Sequence, residues 1–283
     1  MAIDKANGTA WSSLSSISGV AKANISKVAG QDASVSSGGG IVTESRILDW
    51  RPANISGTQV TDQSGNGYHG TMTNGATVTT TPSGETAFYT DGVNDYITVS
   101  IDDSDLSSVD YPVTYETWLY TKGSLSGTAL SQVIHNDPTN SNNVDWHRFF
   151  LDKRSGQNRI VSQKYAATGG SYVWVTSPGF TLQDETWYHV VTTFELNGSD
   201  RNVVTQYING SLNTSATSTY STSYKNVPWS EGNSYTNFTI GGLIRNTNSY
   251  YHGYVGEVRM YSDLLTSSEI SGNFDATKSN YGY

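Results

Sequence analysis

From about residue 44 onward the chain is a succession of short alternating runs separated by turn residues. This pattern constrains the fold more than any other feature. Ile97–Ser100, Val113–Thr121, Arg159–Lys164, Trp187–Glu195, Val203–Asn209 and Tyr251–Tyr261 are rich in β-branched and aromatic residues and read as strands. Asn74-Gly75, Asn197-Gly198 and Asn209-Gly210 are the dipeptides that two-residue hairpin turns require, because both turn positions need positive φ. No helical stretch separates the strands, which excludes a parallel α/β sheet and predicts an all-β, two-sheet antiparallel sandwich. The helical signal comes at the end. Thr266-Ser-Ser-Glu269 has the spacing of a capping box and predicts one short turn near 266–272.

Composition bears this out and removes several functions. Charged residues make up 14% of the chain, against roughly 25% in average soluble domains. Ser, Thr, Asn and 28 Gly take their place, which suits polar strand faces and turns rather than a helical bundle. Sixteen basic side chains against 25 acidic ones give a net charge of −9, so a general nucleic-acid binder is excluded for want of clustered cations. The chain has no cysteine, which excludes disulfides and thiolate chemistry. Its first residues contain no continuous apolar run, and no stretch approaches 18 apolar residues. The expectation is synthesis in a host cytoplasm without membrane insertion.

Residues 1–40 differ from the rest. Leu14, Ile17, Ala21, Ile25 and Val28 lie 3, 4, 4 and 3 residues apart, the stripe of an amphipathic helix. Gly38 to Gly40 form a flexible joint. The chain therefore divides into an N-terminal attachment arm with its linker, 1–40, and a β domain, 41–283. No internal repeat at a fixed period is apparent.

Six blocks of the β domain, in order, resemble the signatures of laminin-G-like, concanavalin A-type lectin jelly rolls. They are Asp62-Gln-Ser-Gly-Asn-Gly-Tyr-His-Gly-Thr-Met-Thr-Asn-Gly75, Asp91-Gly-Val-Asn-Asp-Tyr96, Trp187-Tyr-His-Val-Val191, Gln206-Tyr-Ile-Asn-Gly210, Ile240-Gly-Gly242 and Gly253-Tyr-Val-Gly-Glu-Val-Arg-Met-Tyr261, the last followed by Leu264, Leu265 and Ser268-Glu-Ile270. Together they cover about residues 44–280. The ending Asn273-Phe-Asp-Ala-Thr-Lys-Ser-Asn-Tyr-Gly282 and the opening Asn7–Val28 resemble virion structural proteins of tailed bacteriophages. The resemblance implies a non-enzymatic particle protein: a head fibre, capsid decoration or tail adhesin located on the virion. Its arm would attach it to other virion proteins, as a homo-oligomer, and its jelly roll would bind a glycan of the host surface. The alternatives are a carbohydrate-binding module of a glycan-active enzyme, or an assembly-only virion protein without a ligand.

Candidate site residues follow. Glucanases of this fold carry an E-x-D-x-E triplet on one strand, whose period of two aims the carboxylates into one cleft. The chain has no such triplet; Glu116 and Glu257 each stand alone in their strands. The five histidines have no metal-ligand spacing, and neither a nucleophile elbow nor a phosphate-binding glycine loop occurs. Calcium is the metal that suits the chain best, since it takes oxygen ligands from carboxylates, amides and loop carbonyls. Asp62 and Asn66 offer these, and the resemblance brings Glu257 of the closing strand beside that loop. For the glycan, exposed aromatic faces flanked by polar groups are needed. Two long connections contain them: Ser131–Arg148 with Asp145 and Trp146, and Thr217–Asn237 with Tyr220, Tyr224, Trp229 and Tyr235.

Overall fold

The computed structural model describes residues 40–102, 112–122, 130–138, 145–152, 158–168, 171–197, 199, 201–218, 235–242 and 249–283, and six two-residue strands between 5 and 32. Those six are β1 (Lys5–Ala6), β2 (Thr9–Ala10), β3 (Ser16–Ile17), β4 (Val20–Ala21), β5 (Lys27–Val28) and β6 (Gln31–Asp32). They pair antiparallel as β1–β2, β3–β4 and β5–β6. The amphipathic helix expected over this stretch is thus corrected at Ile17, Ala21 and Val28, which lie in strands; Leu14 and Ile25 lie outside the described residues.

The remaining strands form an antiparallel sandwich. They are β7 (Arg46–Ser56), β8 (Gln59–Asp62), β9 (Gly70–Thr73), β10 (Thr77–Thr80), β11 (Thr86–Asp91), β12 (Tyr96–Asp102), β13 (Val113–Thr121), β14 (Leu130–Pro138) and β15 (Asp145–Asp152). β16 (Arg159–Thr168), β17 (Ser171–Thr176), β18 (Phe180–Thr181), β19 (Trp187–Leu196), β20 (Asn202–Ile208), β21 (Ser211–Thr217), β22 (Tyr235–Ile240) and β23 (His252–Tyr261) complete the set. In the back sheet, β11 and β7 flank successive halves of β23, which is followed by β13, β19, β20 and β21; β10 edges β11. The front sheet runs β9–β12–β22–β14–β15–β16, with β17 and β18 beyond. β8 pairs with both β7 and β9 and so carries the hydrogen-bond ladder from one sheet to the other.

The strands form where the sequence alternates, and the inward set makes one core. Trp50, Tyr115 and Phe194 from the back sheet meet Phe149 and Phe238 from the front sheet. Trp50 meets Phe238 edge-on at 5.6 Å, and Tyr115 stacks on it at 6.0 Å. Each such fully buried apolar side chain contributes about 1.5–3 kcal/mol. Gly70 is required by this packing, since a Cβ there would lie 2.7 Å from the Trp50 ring.

The end of the chain forms a longer helix than the predicted turn: α1, Ser267–Thr277, followed by a 3-10 turn, Lys278–Tyr281. The capping box is present, with Thr266 Oγ1 accepting from Glu269 N and the Glu269 carboxylate accepting from Thr266 N. The buried face of α1 is Ile270, Asn273 and Thr277. Two of these are polar, so no apolar stripe announced the extra turns. This segment covers the outer face of the back sheet. Trp118 stacks on Tyr281 at 4.3 Å and donates from Nε1 to Thr277 Oγ1 at 3.0 Å. A Cβ on Gly256 would sit 2.7 Å from Trp118 Cβ, so the closing strand needs glycine there.

Candidate functional site

The two outer faces of the sandwich differ. On the back sheet, alternation turns Glu116, Arg259 and Asp49 away from the core, yet all three are fully buried under α1. Glu116 Oε1 accepts from Arg259 Nη1 at 3.0 Å and from His189 Nε2 at 2.9 Å. Its Oε2 accepts from Tyr261 Oη at 3.0 Å and Asn273 Nδ2 at 2.7 Å. Burial alone would raise this carboxyl, but the Arg259 charge and these hydrogen bonds more than offset it and hold Glu116 at about 2. Arg259 also pairs with Glu257, and its Nε lies 3.5 Å from Asp49 Oδ1. Asp49 in turn takes Arg46 at 2.8 Å and Arg51 at 2.7 Å. Every carboxylate here is committed to an internal partner, and Glu116 and Asp49 have no access to solvent. Glu116 and Glu257 read as isolated along the chain because only strand pairing brings residues 49, 116, 189 and 259 together.

This arrangement also tests the expected calcium set. Asp62 Oδ1 accepts from Asp49 N and Ser64 N, and its Oδ2 from Ser64 Oγ and Tyr68 N. Asn66 points its amide nitrogen, a donor, at the carbonyls of Arg46 and Ile47. Asp62 lies opposite Trp50, and Trp50 opposite Val258, so the strand period places Glu257 on the other face. The three do not converge, and the oxygens that calcium needs are already satisfied by N–H and O–H donors. Asp62 thereby organises its own loop as an Asx cap, and Glu257 lies apart from it. Among the described residues no group of three or more His, Asp or Glu side chains is arranged to hold a metal.

The front sheet is built differently. Its strand register aligns one polar position on each of six strands: Thr98, Thr239, His135, Arg148, Gln163 and Thr176. At ~4.8 Å per strand this row is about 24 Å long. Hydrogen bonds tie its described members. Thr98 Oγ1 lies 3.2 Å from Thr239 Oγ1, and Gln163 Oε1 accepts from Arg148 Nε at 2.9 Å and Nη2 at 2.6 Å. Gln163 Nε2 donates to Thr176 Oγ1 at 2.8 Å. The Arg148 guanidinium lies 4.6 Å over the Phe150 ring, which fixes its plane.

A second row lies two residues along. Ser100, Asn237 and Asp137 share one register line, with Ser100 Oγ donating to Asn237 Oδ1 at 2.9 Å. Trp146, Tyr165 and Trp174 share another, on the next three strands. Continuing the β14–β15 register from His135 opposite Arg148 sets Asp137 beside Trp146. Ser100 and Thr176 are exposed, and Thr98, Asn237 and Arg148 partly so.

Of the glycan residues read from sequence, Tyr220, Tyr224 and Trp229 lie outside the described residues. Asp145, Trp146 and Tyr235 fall within strands, and the topology brings them to one end of the front sheet. Tyr235 is opposite Asp102 at the end of β12, and Asp145 is opposite Ala166 on β16. The supposed long connection Ser131–Arg148 is corrected: most of it is the paired strands β14 and β15. Its Asn- and Asp-rich composition suggested a loop because a strand with a solvated face carries polar residues at alternate positions. Arg148, Gln163 and Asn237 were missed for the same reason, since pairing register is not visible in a single strand.

An antiparallel jelly roll with one sheet covered by a helix and polar register rows along the other is a lectin-like architecture. The family model described as the concanavalin A-like lectin/glucanases superfamily matches residues 90–271, and the chain belongs to that family. Among solved structures, it is similar to the binding domain of botulinum neurotoxin DC in complex with SialylT, at TM-score 0.57 and 14% identity. It is also similar to the receptor-binding domain of botulinum neurotoxin C/D mosaic serotype, at TM-score 0.59 and 16% identity. Both likenesses cover 83% of this chain and 52% of the toxin domain, so the chain spans about half their length. A sialidase of Trypanosoma rangeli follows at TM-score 0.56 and 14% identity, over 86% of this chain and 35% of the enzyme. At these identities the likeness is one of fold. No curated protein sequence matches the chain.

Proposed function

We propose that the chain is a glycan-binding protein of a bacteriophage particle, displayed as a head fibre, capsid decoration or tail adhesin with residues 1–40 as its attachment arm. The observation that carries the glycan reading is the pair of register rows on the front sheet. Sugar recognition needs hydrogen-bonding side chains held in a fixed plane beside flat apolar rings. Arg148, Thr176, Ser100 and Asn237 supply the first, oriented by bonds to the buried Gln163 and between Ser100 and Asn237. Trp146, Tyr165 and Trp174 occupy the neighbouring positions. The family membership and the SialylT-bound toxin domain support the same ligand class. The virion reading is supported by the resemblance of the chain's opening and ending to tailed-phage structural proteins. Single sugar contacts are weak, and display in many copies raises avidity roughly 10²–10⁴-fold.

The experiment is a glycan array probed with the full chain, followed by titration of the best ligand. Arg148→Ala and Asn237→Ala should each weaken binding about tenfold or more while leaving the melting temperature within a few degrees. Absence of any glycan ligand, or variants that bind as well as the parent, refutes the face. Labelling of purified particles with an antibody to the chain tests the virion role. The likeness to part of a sialidase favours a second reading, a binding module of a glycan-active enzyme, which predicts no labelling of particles.

A further inference from the structure

The three strand pairs of the N-terminal arm are equally spaced. Lys5 pairs with Ala10 and Ala6 with Thr9; Ser16 with Ala21 and Ile17 with Val20; Lys27 with Asp32 and Val28 with Gln31. Each partner set is the previous one shifted by 11 residues. The sequence repeats in the same phase, which corrects the reading of no fixed-period repeat for this stretch. Ile3, Leu14 and Ile25 correspond, as do Ala6, Ile17 and Val28, and Ala10 and Ala21. The dipeptides between paired strands are Asn7-Gly8, Ser18-Gly19 and Ala29-Gly30, with glycine second each time, where a two-residue hairpin turn calls for positive φ.

We infer that this alignment of three hairpins at an 11-residue period is a tandem repeat through which copies of the chain associate. A hairpin with two-residue strands is not stable alone, and repeat units become so when neighbours cover them. Among the described residues the three pairs are separate two-stranded sheets, joined by strand pairing neither to one another nor to the sandwich. The outer edges of such pairs are templates for pairing with another chain. A second copy is the partner that fits, for two reasons. Every copy carries the same unit three times in the same phase, so two arms in register make three contacts at once. Charge favours the arm as the meeting place. Lys5, Lys22 and Lys27 against Asp4 and Asp32 give residues 1–40 a charge of +1, which leaves −10 of the total −9 on residues 41–283. Sandwiches repel one another, whereas near-neutral arms do not. Identical units meeting identical units yield a closed, symmetric homo-oligomer.

The test uses the full chain and light scattering coupled to size exclusion at micromolar concentration. The parent should run as a defined oligomer. Replacing all three glycines (Gly8→Val, Gly19→Val and Gly30→Val) should reduce the mass to that of one chain, with the melting transition of the sandwich unchanged. Removing one whole unit, residues 12–22, keeps the phase and should keep the stoichiometry while weakening association at least tenfold. A monomeric parent overturns the inference, as does an oligomer indifferent to the glycine substitutions, which would place assembly in the sandwich. A glycine variant that lowers the sandwich melting temperature also overturns it, because the arm would then pack on its own domain.

Discussion

Replacing Arg259 by Met tests the view that the ionic cluster beneath α1 holds the back sheet closed. Methionine matches the reach of the arginine stem but brings no charge. Asp49 keeps Arg46 and Arg51, and Glu257 lies at the margin of the cluster with 13% of its side chain exposed. Glu116 bears the loss, because its side chain is wholly inaccessible and Arg259 is its charged partner of fixed sign. Removing one member of a buried pair costs about 3–5 kcal/mol. A domain of this size loses roughly 2–4 °C per kcal/mol, so the melting temperature should drop by about 6–20 °C. Adding Glu116→Gln to Arg259→Met removes the stranded charge and should recover at least half of the loss. The assay is urea unfolding of parent, both single variants and the double variant at neutral pH. A loss under about 1 kcal/mol for Arg259→Met, or a double variant less stable than either single one, would refute the reasoning.

Acid should unfold the sandwich in two stages. Burial lowers His147 to about 3 from its ordinary 6.5, so the unfolded chain binds the extra proton between those values and stability falls as pH drops from 6.5 toward 3. Glu116, also lowered, contributes stability that is complete above 4.5 and lost as pH falls toward 2. His147→Phe should therefore flatten the upper stage in a series of melting curves between pH 7 and 4, and an unchanged slope would show that His147 is not buried neutral. Asp62→Ala removes an acceptor of four hydrogen bonds and should cost about 1–3 kcal/mol. Calcium chelation should leave the parent's melting curve where it was, and a shift reversed by added calcium would restore Asp62 as a ligand. Thr266→Ala deletes the cap of α1 and should cost about 1 kcal/mol, measured by the same unfolding assay.

The sandwich was legible because its strands alternate; of its Asn-Gly pairs Asn209-Gly210 closes a two-residue hairpin, whereas Asn74-Gly75 joins β9 to β10, which pair with other strands, and Asn197 opens a longer connection to β20. The structure keeps Val113–Thr121 as read and extends Arg159–Lys164 to Thr168. Asn209 and Gly210 both adopt the positive φ expected of a two-residue turn. What pairing creates was not legible: the Glu116–Arg259–Asp49 cluster joins three strands far apart in sequence, and the front rows join six. The arm was misread for a specific physical reason. A period of 11 divided by three is 3.67, so residues recurring every 11 positions imitate a helical stripe. Leu14 and Ile25, and Ile17 and Val28, are 11 apart, which produced the 3, 4, 4, 3 spacing, while Ile17, Ala21 and Val28 lie in strands.

The described tryptophans bear on where the proposed ligand face can lie. Trp50 fills the core, while Trp118 and Trp187 lie beneath the C-terminal segment, where Tyr281 packs on both at 4.3 and 4.6 Å. Trp187 Nε1 is further bonded to Glu85 at 3.1 Å. These three indoles are consumed in closing the back sheet, so they present no ring to a ligand. Trp146 and Trp174, by contrast, sit on the front-sheet register line that continues from Ser100, Asn237 and Asp137. The back sheet is closed by α1, and Glu116, Asp49 and Arg259 pair beneath it, so its outer face supports the fold. The proposed ligand face therefore falls to the front sheet, where Ser100 and Thr176 are exposed while Phe150, Val161, Gln163 and Thr239 are buried.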